Sequence, residues 1–146
     1  MKVSVSAFFP AKAEHVWSII TDIDGAQQRI RAIKTLRVLS RPSSGLIGLK
    51  WQETRTMFGK DATETMWITS AQTNKYYTTC AQSHGCIYIT TLEIIEKSKG
   101  CELTMHFRAE AHTTLSKILN WVFSPFMNRQ LKTALSQDLL DLKSAL

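Results

Sequence analysis

The sequence predicts an α+β protein with one antiparallel sheet of about seven strands and a long C-terminal helix. Three observations carry this prediction. An N-terminal strand is followed by two short helical segments, residues 33–112 form a series of strand patterns with short turns, and the last third keeps helical spacing. Because no helix separates the strands of the middle region, we expect an antiparallel meander there. The length of 146 residues fits a single domain over residues 1–146.

The N-terminal elements follow from a change in the period of the apolar residues. Residues 3–9 alternate between apolar and polar side chains, which predicts a strand that ends at Pro10. Residues 13–20 then keep the spacing of a short amphipathic helix. Asp24 is a suitable cap for a second short helix that extends to about Arg31.

Six further strands are predicted, each bounded by turn residues. They cover residues 34–41, 49–58, 61–70, 76–83, 86–96 and 101–112. The turn at Gly59-Lys60 determines the register of its hairpin, because two turn residues with Gly first are typical of a type II′ turn. This register places Arg55 opposite Glu64 and Glu53 opposite Met66.

The C-terminal third is predicted to be helical from about residue 114 to the end. Apolar side chains recur there at helical spacing, at Leu115, Ile118, Leu119, Val122, Phe123, Phe126, Leu131, Leu135, Leu139, Leu142 and Leu146. Pro125 follows Ser124 within this stretch, and a proline either begins a new helix or kinks a continuous one. A kinked helix and a helix in two pieces therefore both remain open.

Charge and composition restrict the class of protein. Eight Lys and Arg residues lie between Arg29 and Lys60 with a single acid, which predicts a solvated face with at most weak contact to an anionic surface. Nucleic-acid-binding motifs do not occur, so we expect no nucleic-acid partner. The sequence has no recognisable signal peptide, no apolar run of membrane-spanning length and no disulfide framework. We therefore expect a cytoplasmic protein, either monomeric or homodimeric.

One face of the predicted hairpin combines charged and apolar side chains. Trp51, Glu53 and Arg55 share this face with Glu64 and Met66. Charges on an inward face are costly unless they are paired, and Arg55 has Glu64 as a direct partner in this register. Two interpretations stay open: an ion pair that only stabilises the sheet, and a polar anchor for the head group of a ligand. A register slip of one residue would expose these charges instead.

Aromatic and methionine side chains are candidates for the wall of a cavity. With the five residues of the hairpin face, the predicted ligand-binding residues are Trp51, Glu53, Arg55, Glu64, Met66, Tyr88, Met105, Phe107, Phe123 and Met127. Cys80, His84 and Cys86 lie close together in the sequence, but their spacing matches no standard zinc motif. We therefore expect neither a metal nor another cofactor.

Short motifs follow one another in a characteristic order along nearly the whole chain. They are Val5-x-Ala7, Ala13-Glu14-x-Val16-Trp17, Gly48-x-Lys50-Trp51-x-Glu53-Thr54-Arg55, Tyr88-x-Thr90-x-Leu92, Gly100-x-Glu102-Leu103-Thr104 and Asp138-Leu139-x-Asp141-Leu142-Lys143. In this order they resemble the START-like SRPBCC superfamily, and most closely its polyketide cyclase/dehydrase branch. The resemblance implies a helix-grip fold, in which a curved sheet surrounds the long C-terminal helix around an apolar cavity.

The resemblance implies three hypotheses about function. In the leading hypothesis the protein binds or transports a hydrophobic or amphipathic small molecule, lipid- or polyketide-like, and Glu53, Arg55 and Glu64 orient it. In the alternative it is a polyketide cyclase or dehydratase, in which Glu53 or Glu64 abstracts a proton while Arg55 stabilises an enolate. A third hypothesis is a protein-interaction module that docks through the sheet edge or the basic stretch. No motif of a hydrolase, kinase or dehydrogenase occurs in the sequence.

Overall fold

The structure, a computed structural model, describes residues 1–57, 59–83, 86–111 and 114–146, and the side chains at 83, 111 and 114–126 lie outside this description. The elements follow in the order β1 (Lys2–Phe9), α1 (Ala13–Ile20), α2 (Ala26–Arg29), β2 (Ile33–Ser40), β3 (Lys50–Met57), β4 (Lys60–Gln72), β5 (Tyr76–Ser83), β6 (Cys86–Lys97), β7 (Gly100–Ala111) and α3 (Thr114–Lys143). The predicted α+β helix-grip architecture is confirmed, including the two short helices after the first strand.

All seven strands belong to one curved antiparallel sheet with the order β1-β7-β6-β5-β4-β3-β2. Strands β2 to β7 are neighbours in sequence and in space, as a meander requires. β1 joins the opposite edge by pairing with β7, from Lys2 opposite Arg108 to Phe9 opposite Cys101. The segment with α1 and α2 therefore connects the two edge strands of the sheet.

The turn between β3 and β4 lies one residue earlier than the sequence predicted. Met57 and Lys60 pair with each other and flank the turn, so Lys60 belongs to β4 and not to the turn. Gly59 has a φ of 78°, a conformation that glycine adopts readily and that the second position of a type I′ or type II turn requires. Glycine therefore occupies the second position of this two-residue turn, and not the first.

The earlier turn changes the register of the hairpin by two residues. Glu53 is opposite Glu64, and Trp51 is opposite Met66. The predicted cross-strand pairs, Arg55 with Glu64 and Glu53 with Met66, are therefore wrong. Because side chains alternate between the faces of a strand, a shift of two residues leaves each side chain on its predicted face.

The start of α2 also differs from the prediction. Its N-cap is Gly25 and not Asp24. Asp24 instead accepts two hydrogen bonds from Nη2 of Arg41, at 2.7 and 2.9 Å. The N–H of Gly25 donates to Oδ1 of Asp22 at 3.2 Å, and a Cβ at this position would collide with that carboxylate. α2 is only four residues long and ends two residues earlier than predicted.

The core lies between the sheet and the helices α1 and α3. α3 packs against β1 and β7. Its leucines at positions 131, 135, 139 and 142 are all buried, in agreement with the predicted apolar stripe. Burial of one such side chain stabilises the fold by about 1.5–3 kcal/mol. This stripe fixes which side of α3 faces the interior.

The C-terminal helix is continuous in the structure. α3 extends over Thr114–Lys143 without interruption, so the alternative of two separate helices is wrong. The side chain of Pro125 lies outside the described residues, and the predicted kink there stays a prediction.

Candidate functional site

A cavity of about 160 Å³ lies between the sheet, the segment from α1 to β2 and the C-terminal half of α3. Most of its wall is apolar, including Ile19, Ile23, Ile33, Leu36, Leu92, Leu131, Leu135 and Leu142. Each sheet strand from β3 to β7 contributes alternate residues to this wall, as expected for the inward face of a sheet. The residues that line it thus come from distant parts of the sequence.

The structure brings most of the predicted ligand-binding residues to this cavity. Eight of them line it: Trp51, Glu53, Arg55, Glu64, Met66, Tyr88, Met105 and Phe107. Met127 is not among the described residues of this wall, in which the first residue of α3 is Leu131, one helical turn later. Phe123 lies outside the described side chains. That these eight residues contact a ligand remains a prediction.

Four side chains form a polar cluster in the cavity wall: Trp51, Glu53, Arg55 and Asp138. Nε1 of Trp51 donates to Oε2 of Glu53 at 3.1 Å. Arg55 donates from Nε to Oε1 of Glu53 at 3.1 Å and from Nη1 to Oδ2 of Asp138 at 2.9 Å. Glu53 and Asp138 are buried, with 6% and 4% of their surface exposed, so two carboxylates surround one guanidinium out of bulk water.

Local geometry explains how these residues meet. Trp51, Glu53 and Arg55 are alternate residues of β3 and therefore point to the same face. Asp138 lies on α3 three residues after Leu135 and four before Leu142, so it faces the cavity with them. Asp138 is not among the residues predicted for the site from the sequence. The feature that could have identified it is an acidic residue at a position of the otherwise apolar stripe of α3.

The surroundings of the polar cluster shift the pKa values of two members. Burial raises the pKa of Asp138, and this effect outweighs the opposing attraction of Arg55. Burial alone would lower the pKa of Arg55, but Asp138 and Glu53 together raise it. Arg55 therefore stays charged, while Asp138 is protonated more easily than an ordinary aspartate.

The two tyrosine hydroxyl groups of the cavity wall already have hydrogen-bond partners. Tyr77 donates to the carbonyl oxygen of Ile20 at 2.9 Å, and burial, followed by the charge of Glu53, raises its pKa. Tyr88 stacks on Phe107 with ring centroids 5.9 Å apart. Burial raises the pKa of Tyr88 to about 12, with smaller contributions from neighbours that include Glu64. Both phenols are therefore uncharged at neutral pH.

The basic stretch between Arg29 and Lys60 is largely neutralised by ion pairs. Five of its eight bases pair with acids: Arg29 with Asp22, Arg31 with Asp141, Lys34 with Asp61, Arg41 with Asp24, and Arg55 with Glu53 and Asp138. All of these acids except Glu53 are aspartates that precede or follow the stretch in sequence. The pairing reduces the positive charge that this surface presents, and contact with an anionic surface stays a prediction.

The cysteines near the turn of β5 and β6 do not converge on one point. Cys80 is opposite Ile89, whereas the next residue, Ala81, is opposite Tyr88 in the cavity wall. Cys86 is opposite Ser83 and therefore lies on the same face as Ala81, away from the face of Cys80. His84 lies outside the described residues. In the described part of the chain, no three potential metal-ligating side chains form a group.

A chain of hydrogen bonds crosses the outer face of the sheet. Oγ of Ser4 lies 2.9 Å from Nδ1 of His106, and Nε2 of His106 lies 3.3 Å from Oε1 of Glu93. These three exposed side chains are cross-strand or diagonal neighbours on β1, β7 and β6. They do not line the cavity, and we assign them to stabilisation of the sheet.

Solved structures share this fold at low sequence identity. A protein from Thermus thermophilus has a TM-score of 0.82 at 14% identity, with 99% of this chain and 95% of the other covered. The Zhui aromatase/cyclase from Streptomyces sp. R1128 has a TM-score of 0.75 at 10% identity, with 99% and 92% covered. A START superfamily protein from Mycobacterium smegmatis has a TM-score of 0.71 at 17% identity, with 92% and 94% covered. These similarities establish the fold.

No curated protein sequence matches the chain. Within the described residues, no helix has both the length and the apolar character needed to cross a membrane. Residues 1–146 do match a family described as polyketide cyclase/dehydrase and lipid transport. The match spans all the elements that build the cavity and the polar cluster. The chain therefore belongs to this family, a polyketide cyclase-like branch of the START-like SRPBCC superfamily.

Proposed function

We propose that the protein binds an apolar or amphipathic small molecule in the cavity between the sheet and α3. The observation that carries this proposal is a mostly apolar cavity with one polar cluster in its wall. Ligand sites commonly combine an apolar wall with a few polar groups that fix the orientation of the ligand. The family's description, which includes lipid transport, supports the same class of function.

The dimensions of the cavity indicate a compact ligand. An apolar cavity of roughly 150 Å³ in another protein holds a molecule of the size of benzene, and this cavity has about 160 Å³. Met57, Met66 and Met105 contribute flexible side chains to the wall, and such side chains adapt to irregular apolar shapes. We therefore expect one or two fused rings, or a short alkyl chain, to fit first.

The test is a titration with naphthalene, together with native mass spectrometry of the protein as purified. Ala81 lies in the cavity wall with 4% of its surface exposed, whereas Ala62 is an exposed residue of β4. Ala81→Leu should fill part of the cavity and weaken binding at least about tenfold, while Ala62→Leu should leave it unchanged. The proposal fails if wild-type protein binds no naphthalene, or if both variants bind it equally.

A second candidate function is an enzyme of the cyclase or dehydrase type. The raised pKa of Asp138 in the cavity wall favours it, because a carboxyl group that keeps its proton to a higher pH is better suited to act as a general acid or base. The stabilisation of an enolate by Arg55 is less favourable, since Glu53 and Asp138 already balance the charge of Arg55. Asp138→Asn should then abolish turnover of a poly-β-ketone substrate while binding persists, as measured by product analysis.

A further inference from the structure

We infer that the cavity selects ligands whose polar end donates hydrogen bonds and carries no negative charge, and that it rejects ligands that end in a carboxylate or phosphate. This inference rests on the proposed function, because it concerns the head group of the molecule that the cavity would hold. Two independent features of the wall lead to it.

The first feature is the charge of the polar cluster. It contains two carboxylates, Glu53 and Asp138, and one guanidinium, Arg55. Both carboxylates lie within 3.1 Å of a nitrogen of this guanidinium. An anionic head group would therefore enter a low-dielectric site in which the single positive charge is already balanced and a second carboxylate repels it. A neutral or cationic head group meets no such repulsion.

The second feature is the supply of hydrogen-bond donors. The single N–H of Trp51 is used by Glu53, and the hydroxyl of Tyr77 by the carbonyl of Ile20. The Thr79 hydroxyl donates to the carbonyl oxygen of Thr90 at 3.4 Å, and the Tyr88 hydroxyl is hydrogen-bonded to Cys86. These four side-chain donors are thus engaged. Arg55 has five N–H groups and donates one to Glu53 and one to Asp138, so its remaining N–H groups lie beside these two carboxylates, which repel an anion.

Acceptor capacity remains in the same wall. A carboxylate can accept about four hydrogen bonds. Glu53 accepts one on each oxygen, and Asp138 accepts one on Oδ2. A ligand hydroxyl or ammonium group can donate to this remaining capacity. A ligand carboxylate, which only accepts, cannot use it.

The experiment compares four compounds that share one apolar body: naphthalene, 2-naphthol, 2-naphthoate and naphthalen-2-ylmethylammonium. Calorimetric titration of the protein (residues 1–146) at pH 7 gives the dissociation constant of each. We expect 2-naphthol and the ammonium compound to bind more tightly than naphthalene, and 2-naphthoate to bind at least about tenfold more weakly than 2-naphthol. A 2-naphthoate affinity equal to or above that of 2-naphthol overturns the inference.

Charge variants test the assigned cause. Asp138→Asn removes one negative charge with little change in shape, so the ratio of the 2-naphthol and 2-naphthoate affinities should fall severalfold. Glu53→Gln should lower the ratio in the same direction and serves if the first variant does not fold. Asp61→Asn is the matched control, since Asp61 is an exposed carboxylate paired with Lys34, and it should leave the ratio unchanged.

The outcomes separate this inference from the proposed function. If naphthalene itself does not bind, the proposed function fails. If naphthalene binds but the carboxylate compound is preferred, or if Asp138→Asn and Glu53→Gln leave the ratio of affinities unchanged, only the inference about the head group fails.

Discussion

Two aspartates on α3 offer a direct comparison, because they are three residues apart, both buried and both paired with an arginine. Among the residues that the structure describes, Asp138 is hydrogen-bonded by Arg55 alone, at 2.9 Å. Asp141 accepts from the backbone N–H of Arg31 at 3.0 Å, from its Nε at 3.1 Å and from the Gln137 amide at 2.9 Å. Their pKa values nevertheless shift in opposite directions, up for Asp138 and down for Asp141.

The number of donors explains this difference. Burial raises the pKa of either carboxyl group, but the hydrogen bonds from Arg31 and Gln137 outweigh it at Asp141. The Arg55 guanidinium that bonds Asp138 also bonds Glu53. At Asp138 the effect of burial on the pKa therefore exceeds the attraction of Arg55. A single buried ion pair thus does not fully compensate a carboxylate, whereas several converging donors do. Asp141 therefore fixes α3 to the segment before β2, while Asp138 keeps capacity for other partners.

The largest effect is expected where the buried pair is broken. Arg55→Ala leaves Glu53 and Asp138 next to each other without their cation. Removal of one partner from a buried ion pair typically costs about 3–5 kcal/mol, so the free energy of unfolding should fall by a similar amount. Urea denaturation followed by tryptophan fluorescence measures this change.

Arg31→Ala is the matched control for that variant. The Arg31 side chain is 76% exposed, and its backbone N–H and Gln137 would still bond Asp141 after the substitution. We expect a loss of about 1 kcal/mol or less, the usual range for an exposed ion pair. Equal losses in both variants would contradict the distinction between the two aspartates.

The contributions of the two aspartates to stability should change in opposite directions with pH. The pKa of Asp141 is lowered below its ordinary 3.8, so its contribution to stability is present above pH 3.8 and disappears as the pH falls through the folded-state value. The pKa of Asp138 is raised, so its contribution is present below pH 3.8 and is lost as the pH rises through the folded-state value.

Variants with asparagine in place of each aspartate allow this opposite pH dependence of stability to be measured. At pH 7, Asp141→Asn should reduce the free energy of unfolding by about 1–3 kcal/mol, because it weakens charge-assisted hydrogen bonds, and Asp138→Asn should cost less. On acidification the deficit of Asp141→Asn should shrink, whereas Asp138→Asn should become less stable relative to wild type. Unfolding curves from pH 3 to pH 7 test this, and slopes of the same sign would refute it.

The sequence predicted the elements better than their contacts. Alternation in residues 3–9 and helical spacing after residue 114 are local patterns, and the structure has β1 and α3 there. The register predicted from the turn at Gly59 was wrong, because glycine suits either position of a two-residue turn, depending on turn type. The pairing of Arg55 with Asp138 could not be predicted, since Asp138 lies 83 residues away and only the packing of α3 on the sheet brings it near.

The smallest expected effect concerns a third polar residue of α3, Asn128. Its Oδ1 is buried and has no hydrogen-bond partner among the residues that the structure describes. A buried acceptor without a partner costs roughly 1–3 kcal/mol, so Asn128→Leu should raise the free energy of unfolding by about 1 kcal/mol. Arg129→Leu, at the exposed neighbouring position, should change it by less than about 0.5 kcal/mol. Urea denaturation of both variants is the measurement. If Asn128→Leu lowers stability, the amide has a stabilising role, and the ranking of buried polar groups on α3 by their number of donors would not hold.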